Sequence, residues 1–132
     1  MKPTKHAKTN YRMLAPYIAP LNEENRYRKI LNGPYMPLSI QLLYDRGDGS
    51  YAYSIAHYGT QNGDLMSDPE MEIAVNPTEG TVEPLTYRND YVGVYQEVYV
   101  NCGLQFRPQL RTELDCFLWQ WLKNIKEQGF EA

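Results

Sequence analysis

The chain is poor in the residues from which reactive sites are usually built. It has two cysteines, Cys102 and Cys116, and two histidines, His6 and His57. The cysteines show no Cys-x-x-Cys spacing and no Cys/His pattern, which excludes a zinc-finger or disulfide framework and leaves free thiols as the expectation. A cysteine nucleophile would need a histidine base. His6 falls in a polar N-terminal tail, and Cys116 falls in an amphipathic helical pattern, where it reads as a packing residue. There is no glycine-rich phosphate loop. No catalytic residue is assigned, and no cofactor is expected. Apolar runs are only a few residues long, so no membrane span is expected. The basic start MKPTKHAKTN is not followed by an apolar stretch, so no secretory leader is expected and a cytoplasmic location is the default.

Lysine is missing from residues 30–122. Residues 1–29 carry seven basic and two acidic side chains, residues 30–106 carry ten acidic side chains against Arg46 and Arg88, and residues 107–132 carry four of each. The middle of the chain therefore has a formal charge of −8, ten acids less two arginines, within a total of −3. Such a surface repels phosphates and suits cations or basic partners, so direct nucleic-acid binding is not expected. At 132 residues the chain can bury a core without staples. The expected layout is a flexible basic tail over 1–8 and a single domain over 9–132.

The patterning that is present predicts an α+β domain. Asn10 is placed to cap a short helix reaching Ile18, and Asn22, Glu24 and Asn25 to open a further helical turn through Leu31. From residue 36 the period becomes two: Met36, Leu38, Ile40, Leu42 and Tyr44 share one face. Residues 45–50 read as a hairpin turn, and residues 51–58 as the returning strand. A loop over 59–68 follows, then strands near 71–75, 81–87 and 93–100. Closely spaced strands joined by short turns indicate an antiparallel meander of four or five strands. Leu110, Leu114, Phe117, Leu118, Trp121, Leu122 and Ile125 recur at helical spacing after Pro108, and Gly129 ends the pattern. This long C-terminal helix is expected across one face of the sheet, with Trp119 turned away from Trp121 and Phe130 folding back.

Two stretches carry most of the polar chemistry. The first is HYGTQNGDLMSDPEM, residues 57–71; the second is YRNDYVGVYQEVY, residues 87–99. His57, Asp64, Asp68 and Glu70 are the candidate ligands for a divalent metal, with Asp90 and Glu97 able to approach. Asp68-Pro-Glu-Met-Glu72 has the form of the acidic half of a nuclease core, but Ala74 stands where such a core places lysine. Tyr87, Tyr91, Tyr95 and Tyr99 are each four apart, and in a strand they would share a face. The candidate binding surface combines His57, Gln61, Asn62, Asp64, Asp68, Glu70, Asp90, Tyr91, Tyr95, Gln96, Glu97 and Tyr99.

These two stretches, followed by FLWQWLKNIKEQGF over 117–130, resemble a family of proteins from plasmids and conjugative elements of Gram-positive bacteria. The resemblance covers roughly residues 35–130, with Ser67-Asp-Pro-Glu-Met71 and Tyr95-Gln-Glu-Val-Tyr99 as its hallmarks. That family has no established activity, so the resemblance implies a mobile-element accessory protein and carries no catalytic residue. The leading expectation is a non-enzymatic interaction module for a protein partner. The alternatives are a divalent-metal-dependent hydrolase and an acidic decoy of a nucleic-acid-handling protein.

Overall fold

The computed structural model describes residues 2–132. Helix α1 spans Ala7–Ile18, and helix α2 spans Pro108–Glu127. Between them run β1 (Tyr27–Ile30), β2 (Leu38–Asp45), β3 (Tyr51–Gln61), β4 (Asp64–Asn76), β5 (Thr81–Asn89) and β6 (Val94–Glu97). These six strands form one antiparallel sheet in strict chain order, β1-β2-β3-β4-β5-β6. A separate ribbon pairs β7 (Tyr99–Val100) with β8 (Gln105–Phe106). The α+β meander with its C-terminal helix is as expected; the sheet has six strands rather than four or five.

The additional strand comes from a misleading cap. The Asn22 side-chain oxygen does accept the backbone N–H groups of Glu24 and Asn25, at 2.9 Å each. The bonds close a turn instead of opening a helix, a competition that asparagine side chains enter readily. The chain leaves that turn as β1, with Tyr27 opposite Gln41 and Ile30 opposite Leu38. Helix α1 also starts earlier than expected, at Ala7 and not after Asn10. The expected boundary between tail and domain at residue 8 thus falls inside a helix. Pro16 lies within that helix.

Residues 59–68 are not a loop. Strands β3 and β4 continue to Gln61 and from Asp64, leaving Asn62 and Gly63 as a two-residue turn. Both have positive φ, 54° and 84°, as the tight hairpin turn that matches strand twist requires. The predicted fifth strand is also divided. Its first half is β6 and its second half is β7, in different sheets.

One core lies between the sheet and the two helices. Leu38, Ile40, Ile55, Met71, Ile73, Val75 and Val82 project from the inner face of the sheet. Leu14 and Ile18 of α1, and Leu114, Leu118, Trp121, Leu122 and Ile125 of α2, close over them. Each such side chain contributes about 1.5–3 kcal/mol on burial. Phe130 folds back into this core, and the buried Tyr17 hydroxyl donates to its carbonyl at 2.7 Å. Trp119 lies outside the core, stacked on the His6 ring. Cys116 is exposed, so its expected packing role is corrected. Among the described residues no helix is long and apolar enough to cross a membrane.

Candidate functional site

Because both helices pack on one side, the other face of the sheet is left without a helix on it. The strand registers place two continuous rows of side chains across all six strands of this outer face. The first row is Tyr27, Gln41, Ser54, Glu72, Thr86 and Glu97. The second is Lys29, Ser39, Ala56, Glu70, Arg88 and Tyr95. The rows are low in the middle, where Ser39, Ser54 and Ala56 are small and sheltered by their neighbours. Tyrosines stand at opposite ends, Tyr27 on β1 and Tyr95 on β6.

Charge is unevenly distributed along these rows. Lys29 marks the β1 edge, and the carboxylates gather over β4, β5 and β6. A shallow depression there is lined by Glu70, Glu72, Thr86, Arg88 and Tyr95. The Tyr58 hydroxyl donates to Glu70, and Ser67 Oγ donates to Glu70 Oε1 at 2.8 Å. Burial first, then the Glu70 charge and this hydrogen bond, push Tyr58 up to about 12. Tyr95 is also raised, by burial and then by the charges of Glu97 and Glu72. Thr86 Oγ1 donates to Glu72 at 3.3 Å.

The two polar stretches of the sequence meet at one end of this face. Ser67 N–H donates to Asp90 Oδ2 at 2.8 Å, and Asp90 N–H returns a bond to the Ser67 carbonyl at 2.9 Å. Asn89 Nδ2 donates to Asp68 at 3.1 Å. Arg88 Nε pairs with Asp90 Oδ1 at 2.9 Å. The Ser67 amide and then the Arg88 guanidinium hold the Asp90 carboxyl below its usual range. Arg88 sits among Asp68, Glu70, Glu72, Asp90 and Glu97 and is engaged by Asp90; Arg46 shares a cleft with Glu97, and Arg107 donates to the Glu97 backbone carbonyl at 2.8 Å, so three arginines face five acids. The β4–β6 half of the face therefore keeps a net negative charge.

Not every predicted residue reaches this surface. Asp68, Glu70, Asp90, Tyr95 and Glu97 do. Gln61, Asn62 and Asp64 form the exposed tip of the β3–β4 hairpin. The Tyr91 side chain lies over Gly59, where a Cβ would overlap its hydroxyl. His57 turns the other way. Its ring packs on Trp121 and Phe130, and Nδ1 lies 3.1 Å and 3.2 Å from the carbonyls of Met36 and Pro37. Among the described residues His57, Asp64, Asp68 and Glu70 do not form a set of three ligand atoms within 4.8 Å of one another. The expected shared tyrosine face is corrected as well. Tyr87 points inward against Phe117, Tyr91 sits in a turn, and Tyr99 lies in the β7–β8 ribbon. The Tyr99 hydroxyl donates to Glu83, and burial followed by that bond pushes it up to about 12. Gln96 is opposite Tyr87 and lines a cleft with Arg107, Leu110 and Glu113.

Sequence reasoning passed over Tyr27, Lys29, Ser39, Gln41, Ser54, Tyr58, Thr86 and Arg88 as surface residues, and weighed Glu72 only as part of a nuclease-like segment and a charged strand face. The signal for several was present in the alternation itself. Ser39 and Gln41 oppose Leu38 and Ile40, and Glu70 and Glu72 oppose Met71 and Ile73.

A family model described as "Domain of unknown function (DUF6908)" matches residues 10–131. No curated protein and no solved structure matches the chain.

Proposed function

The chain belongs to this family of domains of unknown function, and we propose that it is a non-enzymatic interaction module whose β4–β6 outer sheet face binds a cationic segment of a protein partner. The observation that carries this reading is the pair of side-chain rows on a sheet face bare of helix, with the acids gathered at one end. Carboxylates there gain most from a lysine- or arginine-bearing ligand, and Tyr95 offers a ring for cation–π contact. The small central residues leave room for an extended chain. The plasmid or conjugative-element setting implied by the sequence motifs, and a cytoplasmic location, belong to the same proposal.

The test uses a fluorescent decapeptide of alternating lysine and alanine. The wild-type protein is expected to bind it, with an affinity that falls as salt rises. The triple variant Glu70→Gln, Glu72→Gln, Glu97→Gln is expected to bind about tenfold more weakly, since three exposed ion pairs at about 0.5 kcal/mol each sum to that factor. A second triple variant, Glu24→Gln, Glu127→Gln, Glu131→Gln, removes the same charge from exposed positions away from this half of the sheet. It is expected to bind as the wild type does. Equal loss in both variants, or no binding by the wild type, overturns the proposal.

A further inference from the structure

Away from the sheet face, the start of α1 meets the middle of α2. His6 immediately precedes α1, and its ring stacks on Trp119 with centroids 4.8 Å apart and planes 14° from parallel. This contact fixes the plane of the imidazole. Asp115 and Cys116 are successive residues of α2, the first buried and the second exposed. One ligand atom from each of His6, Asp115 and Cys116 lies within 4.8 Å of the other two.

Asp115 is the anomaly. It is an acid with no exposed surface at all. Its Oδ2 accepts the His6 backbone N–H at 3.0 Å, which places a negative group at the start of α1. Among the described residues its Oδ1 has no partner. Nearby polar groups do not supply one. Asn10, also fully buried, directs Nδ2 to the Asp115 backbone carbonyl at 3.4 Å and leaves its own Oδ1 unpaired. The Thr4 hydroxyl, two residues before His6, is likewise buried and unpaired. Leaving a carboxylate oxygen dry and empty is costly, and a core of this size has many ways to avoid it.

We infer that His6, Asp115 and Cys116 form a binding site for a divalent transition metal of the zinc class, which clamps the N-terminal segment onto α2. The donor set decides the class. Magnesium and calcium take oxygen ligands, whereas an imidazole nitrogen, a carboxylate oxygen and a thiolate sulfur together suit zinc, cobalt or nickel. Tetrahedral coordination at bond lengths of about 2.0–2.3 Å sets ligand atoms roughly 3.5 Å apart. The three groups need only a small inward movement to reach that geometry. The metal takes up the unpaired Asp115 oxygen, and a water completes the fourth position. The site is distinct from the outer sheet face, so it stands or falls separately from the binding function proposed there.

Cobalt(II) is the probe, added in one equivalent to the full-length protein without an affinity tag and with its thiols reduced. The wild type is expected to show thiolate-to-cobalt charge-transfer absorption and the visible bands of a tetrahedral ion. Cys116→Ser is expected to abolish the charge-transfer band, and His6→Gln to weaken cobalt affinity at least tenfold. Cys116 is exposed and His6 peripheral, so neither change removes core packing; circular dichroism confirms that each variant is folded. Cys102→Ser, at the other exposed cysteine, is expected to retain the full spectrum. Zinc is expected to displace the cobalt. A wild type without the charge-transfer band, a Cys116→Ser variant that keeps it, or a Cys102→Ser variant that loses it overturns the inference.

Discussion

Tyr58 offers the sharpest probe of the outer face. Its hydroxyl is held protonated by partial burial, by the charge of Glu70 and by the bond it donates to that carboxylate, and its pKa stands at about 12 instead of 10.0. A pKa raised on folding stabilises the fold fully below the unfolded value. That contribution is lost as pH climbs from about 10 to about 12. A rise of two units sets a ceiling of about 3 kcal/mol at about 1.4 kcal/mol per unit. The ring is partly solvated, so screening reduces this to about 1 kcal/mol. Replacing Glu70 with Gln removes the charge but leaves the burial, which is the largest cause. Tyr58 is therefore expected to move only part of the way back towards 10.0. The assay is an alkaline titration of the protein with ring-carbon-labelled tyrosine, followed by NMR. Glu83→Gln provides the crossed control, because Glu83 accepts from Tyr99, whose pKa also stands at about 12. Each substitution is expected to shift its own tyrosine and leave the other in place. If Tyr58 titrates with the ordinary tyrosines, or if Glu70→Gln moves Tyr99 as far as Tyr58, the geometry of the face is wrong.

Leu118→Ala empties a site of zero exposure and is expected to cost about 3–5 kcal/mol, whereas Phe117→Ala, at a residue 37% exposed, is expected to cost clearly less. Urea midpoints at unchanged m value read both. Gly63→Ala has open space around its Cβ, so its expected loss of about 1–2 kcal/mol comes from the backbone alone, at a φ of +84°. Thermal melting measures it, and a neutral result would remove the tight-turn assignment. Tyr17→Phe leaves the Phe130 carbonyl without its buried donor and is expected to cost about 1–3 kcal/mol. Faster proteolysis of the last residues would accompany that loss.

Elements whose patterns are long and local were legible in the sequence. The stripe from Leu110 to Ile125 predicts α2 to within a residue or two, and alternation predicts the faces of β3, β4 and the Leu38–Leu42 part of β2; a bulge after Leu42 turns Tyr44 outward, off the face its spacing predicts. Short elements were not. Tyr27–Ile30 is a strand only because Leu38–Asp45 lies beside it, while its own residues carry a helix-like cap at Asn22. The candidate surface was half visible for the same reason. The pairing of Ser67 with Asp90 joins positions far apart in the chain, and composition pointed to both stretches without showing that they touch. His57 was misplaced because histidine chemistry was weighed above strand parity: Tyr53, Ile55 and His57 share the inner face. His6 stands in a polar, basic stretch and Cys116 in an amphipathic stripe 110 residues away, so neither local pattern points to the other. Only the packing of α1 against α2 reveals that the two side chains meet.

The chain-order sheet has a consequence for how the protein emerges from a ribosome. Every strand in it pairs with the one made just before, so the sheet can zip as it is synthesised and closes few long loops. Helix α1 has the opposite history. It is made before the sheet, yet the groups that hold its start lie on α2, 109 residues later for the His6 bond to Asp115 and for the Arg111 bond to the Lys2 carbonyl. At about 5–20 residues per second, α1 waits roughly 5 to 20 seconds for that partner. Its apolar face has the sheet to dock on once β5 is made, but its start stays unfastened, and open to proteases, for that whole interval. The later helix is what fastens the start of the earlier one.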